Sequence, residues 1–288
     1  MSERKMSKRK SRKSRKKSNN INSYFNRIFV INLFDRPDRW KDVSSQLKNR
    51  GIKAERFIAI DGRCKKVTAD ACNAKLKTFE LIYDVKIPVK KGEKVRNVLP
   101  RSSLTIGTLL ILREMVRKKW KRILICEDDI ILSRNMDKKF ARGIKEIGNK
   151  RWDLLYLGCG ASCGGKGVSE QRNKQAKHIT TWRDYEDVEF YTQHPNDLRY
   201  PCDEDLCIPV TENISKAVSP GGTWCYAYSL SGAKKVIKAI GEDASRHIDA
   251  LIKKQTKQNK INALAFDPPI VWHENMRKGK YDSDNPWL

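Results

Sequence analysis

Residues 28–62 read IFVINLFDRPDRWKDVSSQLKNRGIKAERFIAIDG, and the order of patterns within them decides the fold. Residues 28–33, IFVINL, are a short uncharged run rich in β-branched side chains, the signature of a strand covered on both faces. Pro37 follows, and Asp38 to Arg50 carry a helical period closed by Gly51. Residues 55–60, ERFIAI, form a second strand that ends at the Asp61-Gly62 turn. A strand, a helix and a second strand in this order imply a parallel sheet with a right-handed crossover.

The pattern continues along the chain. Leu104–Lys119 read as an amphipathic helix with Ser102 or Ser103 as its cap. Arg122 to Cys126 (RILIC) are a third buried strand, residues 137–148 a helix, and Asp153 to Leu157 (DLLYL) a fourth strand. Trp224 to Ser229 alternate like a strand, and Ser231 is placed to cap a helix through Ile240. His247–Lys254 read as another helix, and Leu264–Trp272 as a strand interrupted by Pro268 and Pro269. Residues 64–101 are less regular, and 159–215 show no clear period, which marks them as an irregular, acceptor-facing insertion. The alternation argues for an α/β sheet in one domain, residues 23–288, with its sites at the carboxyl ends of the strands.

The chain has 288 residues, a net charge of +26 and a hydrophobic fraction of 39%. That length and fraction exclude a wholly disordered protein. The longest apolar candidate, Leu104 to Leu112, is far too short to cross a membrane. Residues 1–17 hold ten Lys or Arg and one acid. The expectation is a disordered basic tail over residues 1–22, with residues 1–18 able to meet an anionic membrane surface or nucleic acid. The leader lacks an apolar core of the secretory kind, so the expected compartment is the cytoplasm, with nuclear or membrane-surface association open through the tail. Eight Cys occur. Cys159, Cys163, Cys202 and Cys207 form a loose candidate zinc set, against free thiols in a reducing compartment. Cys126 and Cys225 lie in apolar runs and read as core residues.

Four segments carry chemistry. In ICEDDII an apolar strand ends in Glu127, Asp128 and Asp129. Three acids together must be solvated, paired or metal-bound. Glu127 and Asp129, two apart on an extended backbone, present two carboxylates to one side, a hard oxygen set suited to Mg²⁺ or Mn²⁺. Asp35, Arg36, Asp38 and Arg39 crowd the exit of the first strand, where Arg can fork onto phosphate or carboxylate oxygens. His273 follows an apolar strand, and its imidazole suits a third metal position. Asp249, near a helix start, is placed to act as a general base or to answer the helix dipole.

In order, these segments resemble glycosyltransferase family 25. The opening FVINLFDRPDRW resembles the family's first strand with its Asn-Leu and Asp/Arg-rich exit. Residues 57–62 (FIAIDG) are similar to the family's Glu-Ala-x-Asp-Gly. Leu124–Asp129 match the strand ending in Glu-Asp-Asp, and Trp152–Gly158 match Trp-Asp-Leu-x-Tyr-x-Gly. Tyr226–Ala233, Ile248-Asp249-Ala250, Val271-Trp272-His273 and Ser283-Asp284 complete the series. Two departures stand out. The family's Gly-Glu-x-Gly-Cys-x-x-Ser-His segment keeps only Gly107 within Ser103–Ile111, with apolar residues at the Ser-His pair. The family's acid after Asp249 is Ala250 here. The resemblance implies a GT-A fold, an α/β Rossmann-like mixed sheet flanked by helices in a single catalytic domain, and transfer of galactose or glucose from a UDP-sugar to a glycan or protein hydroxyl, with inversion. It implies Mn²⁺ (or Mg²⁺) held by Glu127, Asp129 and His273, and Asp249 as catalytic base. Donor contacts would come from Asn32, Asp35, Arg36, Arg39, Asp61, Gly107 and Asp128. A family member that has lost catalysis and a basic nucleic-acid-binding protein are the alternatives.

Overall fold

The computed structural model describes residues 20–159, 207–241, 243–267 and 269–273. Ten strands run through the described residues: β1 (Arg27–Asn32), β2 (Glu55–Ile58), β3 (Arg122–Glu127), β4 (Ile130–Leu132), β5 (Leu154–Gly158), β6 (Cys207–Pro209), β7 (Ile214–Ala217), β8 (Cys225–Ser229), β9 (Ala263–Phe266) and β10 (Val271–His273). The helices are α1 (Ile21–Tyr24), α2 (Pro37–Asn49), α3 (Ala69–Tyr83), α4 (Val95–Arg117), α5 (Met136–Ile147), α6 (Leu230–Ile240) and α7 (Ile248–Lys257).

Eight strands form one mixed sheet in the order β2-β1-β3-β8-β5-β9-β7-β6. β1 pairs in parallel with β2, as the opening β-α-β pattern requires, and on its other side in parallel with β3. β8 enters antiparallel between β3 and β5. The side-chain period of two divides each central strand between two cores. In β3, Ile123 and Ile125 join the core under α4, while Leu124 and Cys126 join the core under α2 and α5. Both faces are covered, which is why the strands read as unbroken apolar runs. The result is the GT-A-type α/β sheet flanked by helices that the sequence leads one to expect.

Several boundaries differ from the sequence reading. Ile21, inside the stretch expected as tail, is buried in α1; residues 1–19 lie outside the described part. Residues 64–101 hold a whole helix, α3, capped by Thr68, whose hydroxyl accepts the Ala71 N–H at 3.2 Å. It hides from periodicity because Leu81 and Ile82 face outward. α4 starts at Val95 and runs through Pro100. Ser102 and Ser103 are therefore interior residues, donating back to the carbonyls of Val98 and Leu99, rather than caps. Part of the supposed irregular insertion is strand: β6 and β7 form a hairpin at the sheet edge. The rest, residues 160–206, lies outside the described residues.

The cap of α6 is Ser229 rather than Ser231; its hydroxyl accepts the Gly232 N–H at 3.0 Å. Ser229→Ala is expected to cost about 1 kcal/mol through the orphaned helix donor. A shift of the urea midpoint with unchanged slope would register that loss, and an unmoved midpoint would contradict it.

Cysteine usage also differs. Cys64 and Cys72 form a disulfide, made possible because α3 brings Cys72 back over the loop that follows β2. Cys159 is disulfide-bonded too, so its sulfur is unavailable as a zinc thiolate. Cys163 and Cys202 lie outside the described residues. Cys126 and Cys225 are free and buried, as expected. Among the described residues no helix is long and apolar enough to cross a membrane.

Candidate functional site

The parallel strands β1 and β3 run side by side and end together, with Ile31 opposite Glu127. Their carboxyl ends open onto a crevice walled on the far side by α4. It is lined by Arg39, Asp61, Arg63, Gly107, the three acids and His273, with Arg101 and His247 on the α4 side. This is where an open α/β sheet binds ligands.

The three acids are held differently. Glu127 is the last residue of β3; its N–H donates to the Trp224 carbonyl at 2.8 Å, and Oε1 accepts from the Thr223 hydroxyl at 2.7 Å. Asp128 accepts from the Asn32 side-chain amide and from Arg39 at 3.2 Å. Asp129 takes the same Arg39 nitrogen at 3.1 Å. The chain then turns into β4, which pairs antiparallel with β10 and sets His273 opposite Ile130. That small second sheet carries a residue 144 positions away to the acids. His273 Nε2 lies 3.3 Å from Asp129 Oδ1, and its ring packs 5.4 Å from that of Trp224.

Glu127, Asp129 and His273 each offer a ligand atom, all within 4.8 Å of one another. Asp129 Oδ1 is buried without a hydrogen-bond partner. Burial first, and the Asp129 charge second, push the Glu127 carboxyl up to about 7. Burial would raise Asp129 as well, but His273 and Arg39 outweigh it and hold that carboxyl below its usual range. Two carboxylates and an imidazole, one oxygen unsatisfied and one acid forced toward neutrality, are a donor set that a hard divalent cation fits.

The residues expected to bind a donor divide into three groups. Arg39, Asp61, Gly107 and Asp128 line the crevice. A Cβ at Gly107 would meet only Phe57 at 3.5 Å, so the glycine leaves α4 open to close approach rather than relieving a clash. Asn32 is buried and braces: its amide also donates to the Arg36 carbonyl, and its Oδ1 accepts from Arg56 at 2.8 Å. Asp35 and Arg36 face the rim, where Arg36 forks onto Asp38 at 3.0 and 2.8 Å and Asp35 meets Arg63 at 2.7 Å. Asp249 sits in the first turn of α7, its Oδ1 accepting the Ala250 N–H at 2.6 Å. It is not one of the residues lining the crevice.

Sequence reading missed Arg63, Thr223 and His247. Arg63 binds Asp61 through two bonds of 2.8 Å and bridges it to Asp35. Its signal was its place directly after the Asp61-Gly62 turn at a strand exit. Thr223 left no signal, because it reaches Glu127 only through the β3–β8 pairing. His247 stood in view, two residues before Asp249.

Comparison with known proteins gives the chain's relatives. The family model of Glycosyltransferase family 25 (LPS biosynthesis protein) matches residues 25–252. A rat protein named probable inactive glycosyltransferase 25 family member 3 is 29% identical over 145 residues, 46% of this chain and 23% of the rat protein. A Drosophila melanogaster glycosyltransferase 25 family member is 29% identical over 140 residues, 46% of this chain and 21% of that protein. A mouse protein named inactive glycosyltransferase 25 family member 3 is 28% identical over 145 residues, 46% of this chain and 22% of its own length. The chain thus matches less than a quarter of the length of each of these relatives.

Proposed function

The chain belongs to glycosyltransferase family 25, and from that membership and the crevice geometry we propose a metal-dependent hexosyltransferase. It would move galactose or glucose from a UDP-sugar to an acceptor hydroxyl in one inverting displacement. The observation that carries this reading is the convergence of Glu127, Asp129 and His273 at the strand ends. Those three residues would hold Mn²⁺ or Mg²⁺. When bound, the cation supplies Lewis-acid neutralisation of the leaving diphosphate.

The protein's own groups do the rest. Arg39 pairs with both Asp128 and Asp129 and offsets part of their charge, which lets the two acids stand together. Arg63, tied to Asp61, sets a fixed cation at the mouth for a second phosphate oxygen. Asn32 locks the Asp128 carboxylate, and Thr223 locks that of Glu127, so neither has to reorganise during reaction. Residues of α4, Pro100 to Gly107 among them, form the wall opposite the strands. Cys64–Cys72 fits an oxidising compartment, where such bonds persist, better than the cytoplasm expected from the leader.

The deciding experiment is hydrolysis of a panel of nucleotide sugars by the full chain, with Mn²⁺ and with chelator. The reading expects UDP release that needs the metal. A second reading, binding without turnover, draws on two relatives whose names call them inactive and on the apolar residues in place of the family's Ser-His pair. UDP bound tightly with Mn²⁺ but no turnover of any donor would favour it.

Protons should compete with the metal. Glu127 carries a proton below about 7 in the metal-free protein, and binding requires the carboxylate. Apparent Mn²⁺ affinity should therefore fall by about tenfold per pH unit below that value and level off above it. Calorimetry in buffers of different ionisation enthalpy should count about one proton released at pH 6 and fewer at pH 8. An affinity flat across this range would contradict the placement of Glu127 among the ligands.

A further inference from the structure

The crevice has a neighbour. A second, shallower depression is lined by Lys90, Lys91, Glu93 and Asn97, ahead of and within the first turn of α4, and Arg101 and His247 line both hollows. His247 therefore stands where the two hollows meet. The residue is firmly placed. Arg101 Nε donates to the Ser245 carbonyl at 2.7 Å, and the Thr105 hydroxyl donates to the Arg246 carbonyl at 2.6 Å. His247 is itself the cap residue of α7, its carbonyl accepting the Leu251 N–H at 3.1 Å. α4 therefore fixes the backbone from which the imidazole projects.

The surroundings suit a proton acceptor. Burial is the main influence and lowers the imidazole's pKa; Asp249 opposes it and Arg101 adds to it. The net result is a neutral ring with a free lone pair at neutral pH. Around it stand Arg101 from α4, paired with Glu93 at 2.6 Å, Lys90 and Lys91 from the segment before α4, Asp249 on its own helix, and, across the crevice, Asp61, Arg63, Arg39, His273 and the acids Glu127, Asp128 and Asp129. Asp249, by contrast, is turned onto its own helix start and does not line the crevice.

We propose that His247, rather than Asp249, takes the proton of the acceptor hydroxyl, and that acceptors reach it across the Lys90–Asn97 depression. This rests on the transferase reading. In the step, the hydroxyl oxygen bonds to the anomeric carbon as the bond from that carbon to the phosphate oxygen breaks. The electron pair leaves on UDP, and the hydroxyl proton passes to a ring nitrogen of His247. Asp249 then favours the imidazolium by its charge alone.

The test is UDP release from UDP-galactose and UDP-glucose with water as acceptor, in Mn²⁺, for the full chain, His247→Ala, His247→Gln and Asp249→Asn. Both His247 variants should lose a factor of about 10² to 10⁴ in kcat, while Mn²⁺ and UDP affinities stay within about threefold. Added imidazole should restore part of the activity of His247→Ala. With Mn²⁺ kept saturating at every pH, so that protonation of Glu127 does not enter, the acid limb of the wild-type kcat profile should vanish in both His247 variants. Asp249→Asn should lose about tenfold, the weaker effect of a charge acting through a neighbour. Turnover of His247→Gln near wild type, or a larger loss in Asp249→Asn with no rescue by imidazole, would overturn the assignment. A wild type silent on both donors would instead defeat the transferase reading, and this role with it.

Discussion

Asp129→Asn should reduce Mn²⁺ affinity by on the order of a hundredfold or more, since loss of even an outer partner of a metal ligand costs about 10–100-fold. Metal-dependent UDP release should fall below detection. The substitution keeps the shape of the side chain and removes its charge. Oδ2 already answers Arg39, and Oδ1 lies unsatisfied beside His273; an amide cannot serve both a guanidinium and a cation. Stability should change by only about 1 kcal/mol, because Arg39 retains Asp128 and the repulsion on Glu127 is relieved. The Glu127 carboxyl should then titrate lower than in the wild type. Calorimetric Mn²⁺ binding together with urea unfolding separates the two effects. Metal affinity unchanged in a stably folded variant would remove Asp129 from the ligand set.

Gly158→Ala is the second large effect, and it acts from a distance. β5 ends at Gly158, where its register against β8 slips. A Cβ there would lie 2.0 Å from the Val271 carbonyl oxygen and 2.8 Å from its carbon. Both are backbone atoms of β10, whose next residues are the buried Trp272 and then His273. The strand has to shift, and overpacking of this kind costs about 1–3 kcal/mol or more. Because His273 rides on the same three-residue strand, Mn²⁺ affinity should fall by about tenfold, although residue 158 is no ligand. A lowered urea midpoint with weaker metal binding is the expected pair of results. Full metal affinity would mean that β10 is not what positions His273.

The two predictions also mark what the sequence makes legible. Glu127 and Asp129 were visible because a fully apolar strand ended in acids, and the strand period put them on one side. The β-α-β opening was visible because strands covered on both faces read as unbroken apolar runs. His273 was visible only as a residue after a strand; its meeting with Asp129 depends on the β4–β10 pair, a contact across 144 positions. The helix α3 and the Cys64–Cys72 bond were hidden for one reason: outward Leu81 and Ile82 blur the apolar stripe that would have announced the helix. The early start of α4 was masked by Pro100, which reads as a breaker. Arg36 drew attention as a phosphate ligand because it stands at a strand exit, yet a nearer partner, Asp38, takes its fork.

The most direct test of the central claim is a crystal of the full chain grown with Mn²⁺ and UDP, with diffraction measured at the manganese edge. The account predicts one anomalous peak in the crevice, coordinated by Glu127, Asp129 and His273 and in contact with the diphosphate. UDP bound in the crevice with no manganese beside those three residues, or manganese bound elsewhere, would contradict it.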